Sequence, residues 1–431
     1  MTDDMADGMT DGTSRRPPRS VIVAGAGLAG AQSVAALRQH GFDGRITVLG
    51  AEGVPPYDRP PLSKELLKRP EPVWLSDDIG VDVEALADDV RLADPAHGLE
   101  TGSGGVAIST ASGARIEADA AVLATGSAAI RPAGWDAAAV LHTAADADLL
   151  RAALRPGLRL VVVGAGWIGA EVAGVAAGAG AEVTVVEAAS APLERQLGAE
   201  VGTHLLRWYD DAGVRLITGA PVADVGTAHV GLTDGRHLDA DLVLAAVGAR
   251  PATGWLGEAL PLDERGTVVV GPDGAVPGQP GLWAVGDVAS RAHPGFGTVP
   301  GGHWSAALHD PDMTVRAMLG VGPARPHAPY VFSQQLGHDL ALLGLPSAEC
   351  EVVWRGEPGG KGPWAAFYLD PAGSGTTREG RRVATARAVL LVDSPRDVGA
   401  VRRLMNRGEP LRLDLDSALD PSVRLRDAVA T

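Results

Sequence analysis

One unit occurs twice in this chain and restricts its fold more than any other feature. The apolar run Ser20-Val21-Ile22-Val23-Ala24 leads directly into Gly25-Ala26-Gly27-Leu28-Ala29-Gly30 and then a helix-like AQSVAALRQHG. Leu160-Val161-Val162-Val163 leads in the same way into Gly164-Ala165-Gly166-Trp167-Ile168-Gly169 and a second helix. Strand, glycine turn and helix in this order open a dinucleotide-binding fold. The first glycine makes the tight turn, the second lets backbone N–H groups approach a pyrophosphate, and the third lets helix and strand pack closely. A lone GxGxxG is weak evidence, but two in matching context imply two dinucleotide sites. Each is followed by another strand, Arg45-Ile46-Thr47-Val48-Leu49 with Glu52 just beyond, and Ala181-Glu182-Val183-Thr184-Val185-Val186 ending on Glu187. An acid at that strand end accepts from the adenosine ribose and repels a 2′-phosphate, so Glu187 predicts NAD rather than NADP at the second cradle.

At 431 residues the chain is long enough for two or three domains. It has no uncharged apolar run of about 18 residues, so no membrane span is expected. The first 18 residues lack the apolar core of a secretory signal and are expected to form a disordered tail. Cys350 is the single cysteine. Mechanisms that need a thiol pair are therefore excluded, a reducing, cytoplasmic setting is expected, and metal or iron–sulfur ligation within the chain is not. The net charge of −16 argues against nucleic acid or anionic lipid as partners. The charge is uneven: from Arg325 onward there are 14 basic and 13 acidic residues. Lysine occurs only at positions 64, 68 and 361.

Further motifs carry a family resemblance. They are Pro56-Tyr57-Asp58-Arg59-Pro60-Pro61-Leu62-Ser63-Lys64, Ala124-Thr125-Gly126, Ala246-Val247-Gly248-Ala249-Arg250-Pro251 and Gly281-Leu282-Trp283-Ala284-Val285-Gly286-Asp287. Together they resemble the ferredoxin reductases of bacterial oxygenase and cytochrome P450 systems, the putidaredoxin and rubredoxin reductase group. The resemblance implies an α/β fold with two Rossmann-like domains and a C-terminal α+β interface domain. The FAD domain would be split over 19–133 and 258–327, the NAD domain inserted at 134–257, and the interface domain would run from 328 to 431. It further implies FAD held by Gly25, Gly27, Gly30, Glu52, Arg59, Lys64, Ala124, Thr125, Gly126, Arg131, Asp287 and Trp304. NAD would lie on Gly164, Gly166, Ile168, Gly169, Glu187 and Gly248. Lys64, paired with Glu171, would stand near the flavin N5. The implied activity is hydride transfer from NADH to FAD, then single electrons to a small iron–sulfur protein.

Several positions depart from that pattern. The family's WSDQ reads Phe332-Ser333-Gln334-Gln335, and its RxEHW reads Pro300-Gly301-Gly302-His303-Trp304, which removes two charges from the acceptor side. Ala51 replaces an acid at the FAD ribose, and His142 replaces an arginine. A redox-responsive binding protein and a quinone or artificial-acceptor reductase are the alternative readings. Between Arg378 and Arg407, eight arginines face three acids, the pattern of a docking surface for an acidic partner or of a solvated face.

Overall fold

A computed structural model describes residues 17–102, 104–376 and 380–430. The expected tail lies almost wholly outside the described residues, as do Arg378 and Glu379 of the arginine-rich stretch.

The first strand, β1 (Ser20–Ala24), is apolar and buried from Val21 onward because parallel neighbours cover both its faces. Helix α1 (Leu28–Gln39) turns small residues, Ala29, Gly30 and Ala31 among them, inward and so lies close to the sheet. Strands β2 (Arg45–Leu49) and β3 (Ala120–Leu123) flank β1, and Leu282–Ala284 and Asp89–Arg91 complete a five-stranded parallel sheet. The return of Leu282–Ala284 to this sheet makes the first domain discontinuous in sequence.

The second unit repeats the plan. Strand β4 (Arg159–Val163), helix α2 (Trp167–Gly178) and strand β5 (Glu182–Val186) belong to a four-stranded parallel sheet with Arg215–Ile217 and Leu242–Ala245. The chain passes between the two domains through a two-stranded antiparallel ribbon, Ser127–Ala129 against Ala249–Pro251. By Leu256 it is packed among first-domain core residues such as Ile22 and Leu123.

Helix α3 (Trp304–Leu319) packs on α1 and leads to the C-terminal domain. There β6 (Tyr330–Gln335) begins a seven-stranded antiparallel sheet centred on β7 (Arg382–Val392), with helix α4 (Pro395–Met405) following it. The sheet's inner face forms its own core around Phe367, Val389 and Met405. Its other face packs Leu340, Trp364 and Leu390 onto Leu205 and Trp208 of the second domain. Among the described residues, no helix is long and apolar enough to cross a membrane.

Candidate active site

Both cradles have the geometry that a pyrophosphate requires. Gly25 has φ +123°, and a Cβ there would lie 2.1 Å from the Ala124 carbonyl oxygen. Gly164 has φ +106°, and its Cβ would lie 2.4 Å from the Ala246 oxygen. The third glycines pack onto the first: a Cβ on Gly30 would meet the Gly25 oxygen at 1.8 Å, and one on Gly169 the Gly164 oxygen at 2.0 Å. At Gly27 and Gly166, by contrast, a Cβ would meet open space. No side chain caps α1 or α2 at that point, so the helix N–H groups face the space a phosphate would fill. The donor set and the clearance fit a dinucleotide at each site.

Around the first cradle, the ends of three adjacent strands converge. Gly25 follows β1, Ala124-Thr125-Gly126 follows β3, and Gly286-Asp287 follows Leu282–Ala284, all at the carboxyl edge where α/β sheets bind ligands. The Thr125 hydroxyl donates to Ala252 O at 2.8 Å, across to the returning chain. The Asp287 carboxylate accepts from Ser127 Oγ at 2.9 Å and Gly302 N at 3.0 Å. Trp304 donates its indole N–H to Asp58 at 2.9 Å, and burial pushes the Asp58 carboxyl up. His303 caps α3 through Nδ1, 3.1 Å from Ala306 N, and burial lowers it to about 4, leaving it neutral. Glu52 does not stand open: its carboxylate takes the Tyr57 hydroxyl at 2.5 Å and the Arg59 guanidinium. Arg59 also donates to His142 O, and Tyr57 accepts from Ala144 N at 2.9 Å, which ties the PYDR segment to the entry of the second domain. Arg131 is exposed.

At the second cradle, Glu187 lies directly past β5. Its carboxylate accepts from Ala165 N at 2.7 Å and Ala189 N at 2.8 Å, which fixes it against the glycine turn. Ile168 is 44% exposed at the same mouth, and Gly248 O accepts from Ile130 N at 2.9 Å beside the ribbon.

Lys64 of the first domain and Glu171 of helix α2 meet where the two domains touch. The ammonium lies 2.8 Å from Glu171 Oε2 and 3.0 Å from Pro60 O, with Glu171 only 4% exposed. Removing one partner from so buried a pair costs about 3–5 kcal/mol. Glu171 also accepts from the hydroxyls of Ser63 and Ser333. Sequence reasoning assigned no role to either serine, although each stands inside a quoted motif, one residue from a residue singled out there. Among the described residues, no three His, Cys, Asp or Glu side chains cluster as a metal site, and Cys350 is partly buried.

Residues 19–308 match the pyridine nucleotide-disulphide oxidoreductase family, and residues 330–429 match the reductase C-terminal family. The chain belongs to the pyridine nucleotide-disulphide oxidoreductase family. As a member it is an FAD- and NAD-dependent oxidoreductase, with two dinucleotide-binding domains and a C-terminal antiparallel-sheet domain. It is similar to the ferredoxin–NAD(+) reductase component of the anthranilate 1,2-dioxygenase system of Burkholderia cepacia, at 33% identity over 94% of this chain and 98% of that protein. The reductase subunit of the benzene 1,2-dioxygenase system of Pseudomonas putida is 32% identical over 95% of this chain and 97% of its own length. Among solved structures, the covalent putidaredoxin reductase–putidaredoxin complex superposes with a TM-score of 0.84, at 26% identity over 95% of this chain and 97% of that one.

Proposed function

We propose that this chain is an NADH:ferredoxin reductase that supplies single electrons to a small iron–sulfur protein serving an oxygenase or cytochrome P450. The observation that carries this reading is the buried Lys64–Glu171 pair, which joins the two domains that each carry a dinucleotide cradle, in a chain without a thiol pair. Electrons therefore leave the flavin site to an outside acceptor. FAD, when bound, converts the two-electron donor NADH into one-electron steps.

The chain's own residues divide the work. Gly25, Gly27, Gly30 and the start of α1 receive one pyrophosphate, and Gly164, Gly166, Gly169 and the start of α2 the other. Asp287, held by Ser127 and Gly302, presents a carboxylate on the same sheet edge as Gly25. Glu187 selects NADH by accepting ribose hydroxyls and repelling a 2′-phosphate. The Lys64 ammonium places a buried positive charge where negative charge builds on hydride arrival. A lone cysteine and dependence on NADH support a cytoplasmic location.

The C-terminal domain supports an acidic partner. Arg382 pairs with Asp416, Arg387 lies 3.6 Å from Asp370, and Arg381 lies 4.0 Å from Asp414. Arg396, Arg402, Arg403 and Arg407 remain exposed on and just after α4 and form the basic face. The purified protein is expected to be yellow and to bleach anaerobically with NADH much faster than with NADPH. A colourless protein that takes up no FAD, or a preference for NADPH, would overturn the reading.

A further inference from the structure

The motifs account for Lys64 and Glu171 but not for what holds them in place. Glu171 Oε2 receives Lys64 and Ser63, both from the first domain, while Oε1 receives Ser333 from the C-terminal domain. Three domains thus meet on one buried carboxylate of the second. Ser333 is fully buried and is itself held by Gln335 Nε2 at 2.9 Å. The two are alternate residues of β6, so the strand's period of two turns both toward Glu171 and Phe332 to the other face, where it is 45% exposed.

The strand is seated as well as bonded. Leu336 and Gly337 form its two-residue hairpin turn with φ values of 52° and 90°. At Gly174, three residues after Glu171 on the same helical face, a Cβ would lie 3.0 Å from Leu336 N. The absent side chain lets the hairpin tip rest on α2 and fixes Ser333 against Glu171.

We propose that Ser333, backed by Gln335, is a positioning residue that sets the Lys64 ammonium through Glu171, so that the C-terminal domain takes part in hydride acceptance. This rests on the reading of Lys64 given above. With Ser333 in place, both carboxylate oxygens are occupied and the Lys64–Glu171 pair has one orientation. Without it, Oε1 is left in a dry site with no donor, and the carboxylate must turn, carrying the ammonium with it.

The test is anaerobic stopped-flow reduction of the FAD-loaded protein by NADH, together with the flavin midpoint potential. Loss of one hydrogen bond to a charged group predicts that Ser333→Ala lowers the limiting reduction rate about tenfold. The NADH Kd should stay within about twofold of the parent and the potential should become more negative, because a displaced cation stabilises negative charge less. Ser333→Thr, which keeps the hydroxyl, should restore most of the rate. Gln335→Met, which keeps the packing, should give a smaller loss of the same kind even if Ser333→Ala folds poorly. In a Lys64→Ala background, Ser333→Ala should add little, since both act through one group. Parent-like reduction by Ser333→Ala with an unchanged potential would overturn the proposal, as would full multiplication of the two defects. Failure of the unaltered protein to be reduced by NADH would instead overturn the functional reading beneath it.

Discussion

The two cradles are built alike and differ at the end of the next strand. Their turns superpose in kind down to the carbonyl that each first glycine abuts, Ala124 in one and Ala246 in the other. Strand register then places Gly50 just past β2 where Glu187 stands just past β5. Glu187 is pinned by two backbone N–H groups and offers a discrete carboxylate to an entering ribose. An acid cannot occupy the position of Gly50, because a Cβ there would lie 2.9 Å from both the Ala26 Cβ and the Leu92 oxygen. The nearest carboxylate, Glu52, is bonded to Tyr57 and Arg59, and these in turn are anchored to Ala144 and His142. The first site is fenced by a linked loop, the arrangement expected for a resident group, whereas the second carries one part-buried acid at its strand end, the arrangement expected for a substrate that comes and goes. On this reading turn geometry supplies the two cradles, and the proposed difference in residence and selectivity lies at the strand ends.

The same substitution made in both turns should have the largest and most different effects. Ala at a positive φ costs about 1–3 kcal/mol before any overlap with the abutting carbonyl is counted. Gly25→Ala is expected to yield protein without flavin, and Gly164→Ala protein that keeps FAD but is no longer reduced by NADH. Identical behaviour of the two variants, read from the visible spectrum and from NADH bleaching, would contradict separate roles.

Next in size is Lys64→Ala, which removes a buried charge from the contact between the two domains. Flavin reduction should slow about a hundredfold in stopped flow while the NADH Kd changes little. An unchanged rate would remove Lys64 from the chemistry. Glu171→Ala should give a similar but smaller loss of rate.

Glu187→Ala should raise the KM for NADH about tenfold, the value of one charged hydrogen bond, and should improve use of NADPH. Glu52→Ala should leave both coenzyme constants unchanged, since its partners are protein groups. Steady-state kinetics with an artificial acceptor check both. A shift in coenzyme preference from Glu52 instead would reverse the assignment of the cradles.

The smallest expected effect lies away from both cradles. Charge reversal at Arg402 and Arg403 should raise the KM for ferredoxin a few-fold and leave artificial-acceptor activity intact. Docking steered by these charges should weaken from low to physiological salt, where the Debye length is about 8 Å. Turnover indifferent to both would place the docking face elsewhere, and Cys350→Ser should alter nothing.

Local pattern carried much of this into the sequence. Apolar runs flanking glycine turns revealed both cradles, and Glu187 was readable because it directly follows its strand. What was not readable depends on long closures. Ser63 and Ser333 reach Glu171 across 108 and 162 residues, and no periodicity signals a hydroxyl that far away. The charge of the arginine-rich stretch was visible, but its pairing was not: Asp416, in the short helix Leu415–Leu419, and Asp370, just past the strand Trp364–Leu369, take up Arg382 and Arg387, and the exposed arginines on and just after α4 are the ones offered to a partner among the described residues. Gly50 shows a third limit. The sequence offered Glu52 as the acid of the first cradle, and only the packing of Ala26 and Leu92 explains why none stands directly at the strand end, at Gly50, as Glu187 does in the second.

Electrons taken from NADH are proposed to leave singly to an iron–sulfur protein. The direct measurement is NADH-dependent reduction of cytochrome c by the FAD-loaded protein, with and without an acidic [2Fe–2S] ferredoxin. Slow reduction is expected without ferredoxin, and a rate that rises and saturates with ferredoxin concentration. A rate unaffected by ferredoxin, in a protein whose flavin NADH still bleaches rapidly, would contradict it.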